Sequence, residues 1–463
     1  MKVDRTRLLT VLERAHNGPI CETFEWDTRV IPGTINRILK KYELLKTCNP
    51  ETPINLDDAL ADRFFQAGLE AAEEIGLLCL DTHRIIKFSR DELLQGLAAA
   101  PAQFTVGENG QQVTFKHRGL NDPTPTVWVS PLSIAVTEDV FVPLVEGIAR
   151  VPEVDCIEGP SLETVYGAQV RAGSPYELLV GHYQAELNYE ALRRAGRSGM
   201  PLYAVGTSPT HYGVLGGYGT PGGYKPGRDI VLLLSPVEMK TSYELLHRLA
   251  QIYNCGDGIV YGGSWSMIGG YAGGPEGATL SCIACTILLY TAYQAANGAS
   301  FPYDMKYMGN CGRKALWALS VVFQALARNT HLCANSVLNQ TAGPVTSMLL
   351  YESAVGMMNL AVSGATSCTG TRTAGGKYTN YITPLEVKFA GEVFKRCAGM
   401  SREKANDIAN KLLPKYEEQL GKAPKGQSFP ECYDLKTLKP SAEWQRLYEA
   451  IKNEVIAAGM PLA

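Results

Sequence analysis

Ile230-Val231-Leu232-Leu233-Leu234, then a helical pattern over 237–253, then Ile259-Val260-Tyr261-Gly262-Gly263 read as strand, helix and strand in immediate succession. The same alternation continues in both directions. Upstream, 127–130, 154–158 and 202–206 have strand character, and downstream 300–304, 332–336 and 362–366 do. Helical stretches at 176–195, 276–297, 311–328 and 346–358 separate most of them. Strands that alternate with helices in this number predict an α/β chain folded as a closed TIM (β/α)8 barrel. An open doubly wound sheet is the alternative, but no G-x-G-x-x-G follows the first strand.

The barrel is expected over 121–400, between an N-terminal helical and hairpin extension at 1–120 and a C-terminal helical segment at 401–463. In the extension, Asn55 is placed to cap a helix running to about Ile75, with Leu60, Phe64, Phe65 and Leu69 at helical spacing. Short strands follow at 77–80 and 84–88, and Ser89 with Glu92 forms a capping-box signature for the next helix. Further short strands are expected at 104–106 and 113–116. The last segment reads as two polar helices around a loop at 423–430, a packing or oligomer element.

Composition narrows the function. Of 463 residues, 45% are apolar and 19% charged, with a net charge of −3, which excludes a disordered chain. No basic stripe exists, so nucleic acid is not the expected partner. The first fifteen residues are charged and helix-like, without the apolar centre of a secretion signal. The twelve cysteines are scattered from Cys21 to Cys432 and read as reduced thiols of a cytoplasmic protein. Cys282 and Cys285 share one face of an apolar run and read as small core residues; no second pair or nearby histidine cluster suggests a metal. The uncharged span 277–303 could cross a bilayer by length, yet Ser281, Thr286, Gln294, Asn297, Gly298 and Ser300 favour a buried helix followed by a strand. Between Gly258 and Thr371 only seven residues are Asp, Glu, Lys or Arg. Outer helices of a lone barrel should show a charged face, so these are expected to be covered by other subunits of a homo-oligomer.

In such a barrel, chemistry belongs to the loops after the strands. Three of these loops are unusual. The span 206–227 holds eight glycines among Tyr212, Tyr218 and Tyr224. Residues 262–274 read Gly-Gly-Ser-Trp-Ser-Met-Ile-Gly-Gly-Tyr-Ala-Gly-Gly, and 363–376 contain Cys368, Thr369, Thr371, Arg372 and Thr373. Glycine lets backbone approach a ligand or partner closely, so these loops are expected to form a binding face.

Several stretches then match a known pattern: Asp81-Thr82-His83-Arg84-Ile85, Ser133 with Glu138-Asp139-Val140-Phe141, and Ser174-Pro175-Tyr176-Glu177. Others are Gly269-Gly270-Tyr271-Ala272-Gly273-Gly274, Ala342-Gly343-Pro344, and Glu431-Cys432-Tyr433-Asp434 with Lys436-Thr437. Over essentially its whole length the chain resembles the methanogen-type monomethylamine–corrinoid protein methyltransferases, which are (β/α)8 barrels. The resemblance implies transfer of a methyl group from an amine to the Co(I) corrinoid (cobalamin) carried by a small partner protein, by a cytoplasmic homo-oligomer, a hexamer in the family. No nucleic acid, membrane or resident metal is implied.

The departures bear on the substrate. The pyrrolysine that the resemblance places shortly after Gly199-Met200 corresponds to Tyr203. The expected acidic residue falls at Gly262 or Gly263, the glutamine near Val337 and a tyrosine at Asn339. A quaternary amine departs as a neutral tertiary amine and needs no adduct to pyrrolysine, so the donor is expected to be quaternary or otherwise activated rather than methylamine. Aromatic faces hold such cations, and the chain has 23 tyrosines. Tyr203, in the place of pyrrolysine, is therefore the candidate catalytic position, and Tyr203, Trp265, Tyr271 and Asn339 are candidates for the pocket. Lys306, Arg372 and Lys377 are candidates for a carboxylate on the substrate. Gly206, Gly263, Gly269, Gly270, Gly273 and Gly274 are expected on loops facing the corrinoid or its carrier. Three alternatives stand beside this. A zinc-assisted methanol or thiol methyltransferase would need His211, Cys333 and Glu238 to converge. A catalytically silent docking scaffold would explain the replaced residues, and a Schiff-base lyase would use Lys306.

Overall fold

The structure, a computed structural model, describes residues 3–131, 134–203 and 205–462. Ser133, among the matching residues, and Ala204, inside the expected strand 202–206, lie outside the described residues. The extension opens with helices α1 (Arg5–Asn17), α2 (Ile31–Lys41) and α3 (Asp58–Ile75). The cap of α3 is Asp57, whose carboxylate accepts from the Leu60 amide, and not Asn55. Asn55 is drawn inward instead: its side chain donates to Gln324 Oε1 at 2.8 Å and its amide to Ser320 Oγ at 2.9 Å. Next come the antiparallel hairpin β1 (Leu77–Cys79) and β2 (Arg84–Ile86), and α4 (Arg90–Ala99) behind its Ser89–Glu92 capping box. A second hairpin, β3 (Gln103–Val106) with β4 (Val113–Lys116), leads into the barrel.

Eight parallel strands make the barrel: β5 (Val127–Ser130), β6 (Cys156–Glu158), β7 (Leu202–Tyr203), β8 (Ile230–Leu234), β9 (Ile259–Ile268), β10 (Ser300–Asp304), β11 (Asn335–Asn339) and β12 (Ser367–Arg372). β5 pairs with both β6 and β12, β6 with β7, β9 with both β8 and β10, and β11 with β12. Single bridges close the two remaining seams: Val205 to Val231 beyond β7, and Asn297 to Cys333 ahead of β10 and β11. The ring order is the chain order. The outer helices are α5 (Glu138–Ala149), α6 (Pro175–Arg194), α7 (Tyr243–Cys255), α8 (Pro275–Ala292), α9 (Arg313–Asn329), α10 (Ser347–Val362) and α11 (Pro384–Arg396).

Three expected boundaries move for local reasons. Helix α10 runs through Val362 and the chain turns at Gly364 with φ +89°, which shifts the last strand from 362–366 to 367–372. The preceding strand lies at 335–339 rather than 332–336, where its residues meet the displaced partner. Helix α7 starts at Tyr243 rather than 237, because Lys240 and Thr241 pair in parallel with β1.

The charge-poor region is covered by the chain itself, which corrects the expectation that other subunits cover it. From Gly277 to Ala292 every residue of α8 is buried. Its inner side packs on β9 and β10, and its outer side on α3, α4 and α2. Two glycines permit this approach. A Cβ on Gly68 of α3 would stand 2.4 Å from Ile283 Cγ2, and one on Gly96 of α4 would stand 2.9 Å from the Thr291 Cα. Helix α10 is enclosed in the same way by α11 and by the C-terminal helices α12 (Arg402–Leu412) and α13 (Ala442–Ala458). Among the described residues no helix is long and apolar enough to cross a membrane.

Gly68→Val should force α3 off α8 and destabilise the protein by about 1–3 kcal/mol, the usual cost of overpacking. Urea denaturation compared with the unmodified chain measures this; an unchanged midpoint would mean that the extension is not held by that contact.

Candidate active site

The lower end of the barrel is closed by the chain's own aromatic residues. Phe104 and Phe115 on the second hairpin stack at 4.8 Å between centroids, and Phe115 lies 6.2 Å from Tyr203. Tyr203 in turn lies 5.4 Å from Tyr261. Val106, Val127, Val129, Ile230 and Ile259 fill the space around this column.

Above Tyr261 a cavity of about 260 Å³ remains, lined by side chains from six strands and from one loop residue, Met308. That volume is under the usual range for drug-sized ligands, so it suits a small molecule. Leu232 and Leu234, Trp265 and Met267, Phe301 and Tyr303, and Val337 and Asn339 each line it as residue pairs two apart. A spacing of two is what keeps side chains on one face of a strand. Tyr261, Trp265, Phe301 and Tyr303 form an aromatic wall on adjacent strands β9 and β10. The charged lining residues are Glu158 and Arg372. Glu158, 2% exposed, pairs in register with Tyr203 and so stands at the deep end. Asn339 pairs with Arg372, one inward position nearer the mouth than Val337 with Thr369.

The rim on β11 and β12 is firmly held. Asn310 accepts from the Asn339 amide at 2.9 Å and donates to the Val337 carbonyl at 2.8 Å. Gln340 Oε1 accepts from the Arg372 amide at 3.0 Å. Glu352, wholly buried on α10, accepts from the Thr341 amide and hydroxyl and from the Ala342 amide at 2.8–3.0 Å. Burial nevertheless outweighs these donors and pushes its carboxyl up to about 7.

With this geometry, similarity to known proteins is informative. The family model for monomethylamine methyltransferase MtmB matches residues 7–460. The chain belongs to the MtmB family. Monomethylamine methyltransferase MtmB of Methanosarcina mazei is 29% identical over 449 residues, 97% of each chain. MtmB2 of Methanosarcina acetivorans is equally similar over the same share. The crystal structure of the Methanosarcina barkeri monomethylamine methyltransferase superposes with a TM-score of 0.92 at 27% identity, covering 99% of this chain and all of that one. The structure of the hydroxylamine MtmB complex matches equally well.

Within this MtmB-family barrel, Trp265, Asn339 and Arg372 are brought together as lining residues of the cavity. Tyr203 does not present its ring at the mouth: it is 1% exposed, beneath the cavity floor, and its phenol donates to Asn297 Oδ1. Burial pushes its ionisation well above the ordinary tyrosine range, so it supplies no phenolate. Tyr271 is 47% exposed, with Lys240 Nζ 5.7 Å from its ring, and lies off the cavity. Lys306 is exposed on a neighbouring groove with Gly269, Gly273 and Gly274. Lys377 lies in another groove, and Tyr218 and Tyr224 are buried in the core.

Of the glycines, Gly269, Gly270, Gly273 and Gly274 form a tight turn at the surface, where the Gly269 amide donates to the Gly273 carbonyl at 2.7 Å. Gly206 and Gly263 are buried, so neither lies on an exposed loop. A Cβ on Gly263 would stand 2.8 Å from the Tyr261 hydroxyl, so this position makes room for the cavity's own lining. The suggested zinc ligands lie in three places. His211 Nδ1 meets Glu244 at 2.5 Å, Cys333 lies against the Ala102 carbonyl at 3.4 Å, and Glu238 accepts from Ser266 and Ser281.

Sequence reasoning missed Glu158, Tyr261, Phe301 and Tyr303. A carboxylate at the C-terminal end of a barrel strand was signal enough for Glu158. The three aromatics follow from the two-residue alternation once the strands are placed. Met308 enters from a loop and carried no signal.

Tyr203→Phe should destabilise the fold by about 1–3 kcal/mol by leaving Asn297 Oδ1 buried without its donor, read as a lower denaturation midpoint. Glu352 gives a pH signature. Its folded value of about 7 lies above the ordinary 4.5, so the native state holds the proton longer than the unfolded chain. Its contribution is complete below about pH 4.5 and lost as pH rises towards about 7. Denaturation curves at stepped pH should show a smaller loss over that window in Glu352→Gln than in the unmodified protein.

Proposed function

We propose that this MtmB-family methyltransferase takes a methyl group from a small methylated amine whose nitrogen is quaternary or otherwise activated, rather than from methylamine. The acceptor is the Co(I) corrinoid of a small partner protein. One observation carries the donor class: an aromatic wall of Tyr261, Trp265, Phe301 and Tyr303 beside the buried Glu158 around a cavity of about 260 Å³. Aromatic faces and a carboxylate attract a methylated cation without forming a bond to it. Tyr203, in the place the resemblance gives to pyrrolysine, is sealed below the floor and offers no reactive group to a primary amine.

The chemistry asks for position and charge. One C–N bond breaks and its electron pair stays on nitrogen, which leaves as a neutral amine. The methyl carbon takes the electron pair of Co(I), and the product is methyl-Co(III). Holding the cation at the wall with one methyl towards the mouth converts an encounter between two solutes into a step within one complex. Support for a large acceptor comes from the loops that follow β9 and β10, where Tyr271, Met305 and Met308 leave apolar surface exposed. The homo-oligomer, a hexamer by family resemblance, rests on that resemblance alone, because the chain covers its own charge-poor helices.

The test is a panel of methylated amines with reduced cobalamin, following absorbance from Co(I) to methyl-Co(III). Quaternary amines should react and methylamine should not; efficient transfer from methylamine would overturn the donor class. No transfer from any donor, with binding to a corrinoid protein intact, would favour the docking scaffold. Trp265→Ala should weaken binding of tetramethylammonium about tenfold, the value of one cation–π face, as measured by calorimetry.

A further inference from the structure

The cavity contains a guanidinium that a simple quaternary cation does not need. Arg372 closes β12 at the rim, and the ion pairs among the described residues do not include it. Its only side-chain hydrogen bond there runs from Nη1 to Asn339 Oδ1, at a long 3.5 Å. Nε is buried without a partner, pressed against Gly376, where a Cβ would stand 2.4 Å away. Gly376 has φ +69°, a conformation that suits glycine, so the backbone there leaves room for the arginine. The guanidinium is thus lodged in place with most of its five donors uncommitted. A fixed cation beside a pocket for cations works against binding a purely positive ligand.

We infer that the donor is a zwitterion: a quaternary N-methylated ammonium with a carboxylate on the same small molecule. This deepens, and rests on, the quaternary-amine function proposed above. The carboxylate is received by Arg372 and Asn339 on β11 and β12. The ammonium lies across the mouth on the wall of β9 and β10, where Trp265 and Tyr303 face the cavity. In ring order β12 stands three strands from β9, so the two charges sit side by side across the opening and the methyl groups stay accessible from the mouth. Arginine suits this task because its planar fork meets both oxygens of a carboxylate.

The experiment is calorimetric titration of the full chain with trimethylglycine, choline and tetramethylammonium, which share the methylated cation and differ in the carboxylate. Trimethylglycine should bind roughly tenfold or more tightly than choline, the scale of a charge-assisted contact. In Arg372→Gln that ratio should fall to about one, and Arg372→Lys, which keeps the charge without the fork, should retain part of it. Equal binding of choline and trimethylglycine by the unmodified protein would overturn the inference, as would a ratio that survives in Arg372→Gln. Should Arg372→Gln fail to fold, the unmodified chain and Arg372→Lys still decide. If choline binds and donates its methyl group but the carboxylate brings no gain, only this inference falls. If no quaternary cation binds at all, the donor class falls with it.

Discussion

Helix α8 has no polar face, and a helix buried all round must be covered on both sides before it can exist in water. Its inner side is covered by β9 and β10, the strands that carry the aromatic wall, and its outer side by the N-terminal helices. Gly68 and Gly96 bring those helices so near that backbone meets side chain with no intervening layer. The extension therefore belongs to the barrel's stability. Loss of its packing would expose α8 and loosen the strands that shape the pocket.

A second constraint is closure of the barrel from below. The column from Phe104 through Phe115 and Tyr203 to Tyr261 fills the axis from the hairpin up to the cavity floor. Hydrogen bonding completes it, since Tyr203 donates to Asn297, which donates in turn to the Cys333 carbonyl at 2.6 Å. Cys333 and Asn297 bridge the seam ahead of β10 and β11. Tyr203 thus ties three strands together at a depth where a substrate cannot reach it. What remains above is short, aromatic on one side and charged at two points.

Rigidity at the rim comes from groups that themselves lie outside the cavity. Asn310, Gln340 and Glu352 hold the backbone around Asn339 and Arg372 through bonds of 2.8–3.0 Å. A binding group is useful to the extent that its neighbours prevent it from swinging away. Glu352 does this at a cost, because a carboxyl buried there resists ionisation. Its three bonds to Thr341 and Ala342 give it a positioning role, separate from contact with the substrate.

The alternation of apolar strands and helices, read along the chain, was sufficient for the barrel, because it depends on local periodicity and on the direction of the strands. Trp265 and Arg372 stood out as members of unusual loops after the strands, and Asn339 only through its place in the resemblance. The resemblance in the glycine-rich and C-terminal stretches pointed to the family. The depth of a residue within the barrel was beyond such reasoning. Tyr203 and Trp265 both occupy inward positions, yet one is part of the floor and the other part of the wall, because strand stagger sets which layer a residue joins. The same holds for what covers a charge-poor helix: the sequence shows that α8 needs a neighbour, and only packing decides that the neighbour is the chain's own first hundred residues. Pairing of Asn339 with Arg372 joins residues 33 apart on neighbouring strands, a long-range condition that no local pattern records.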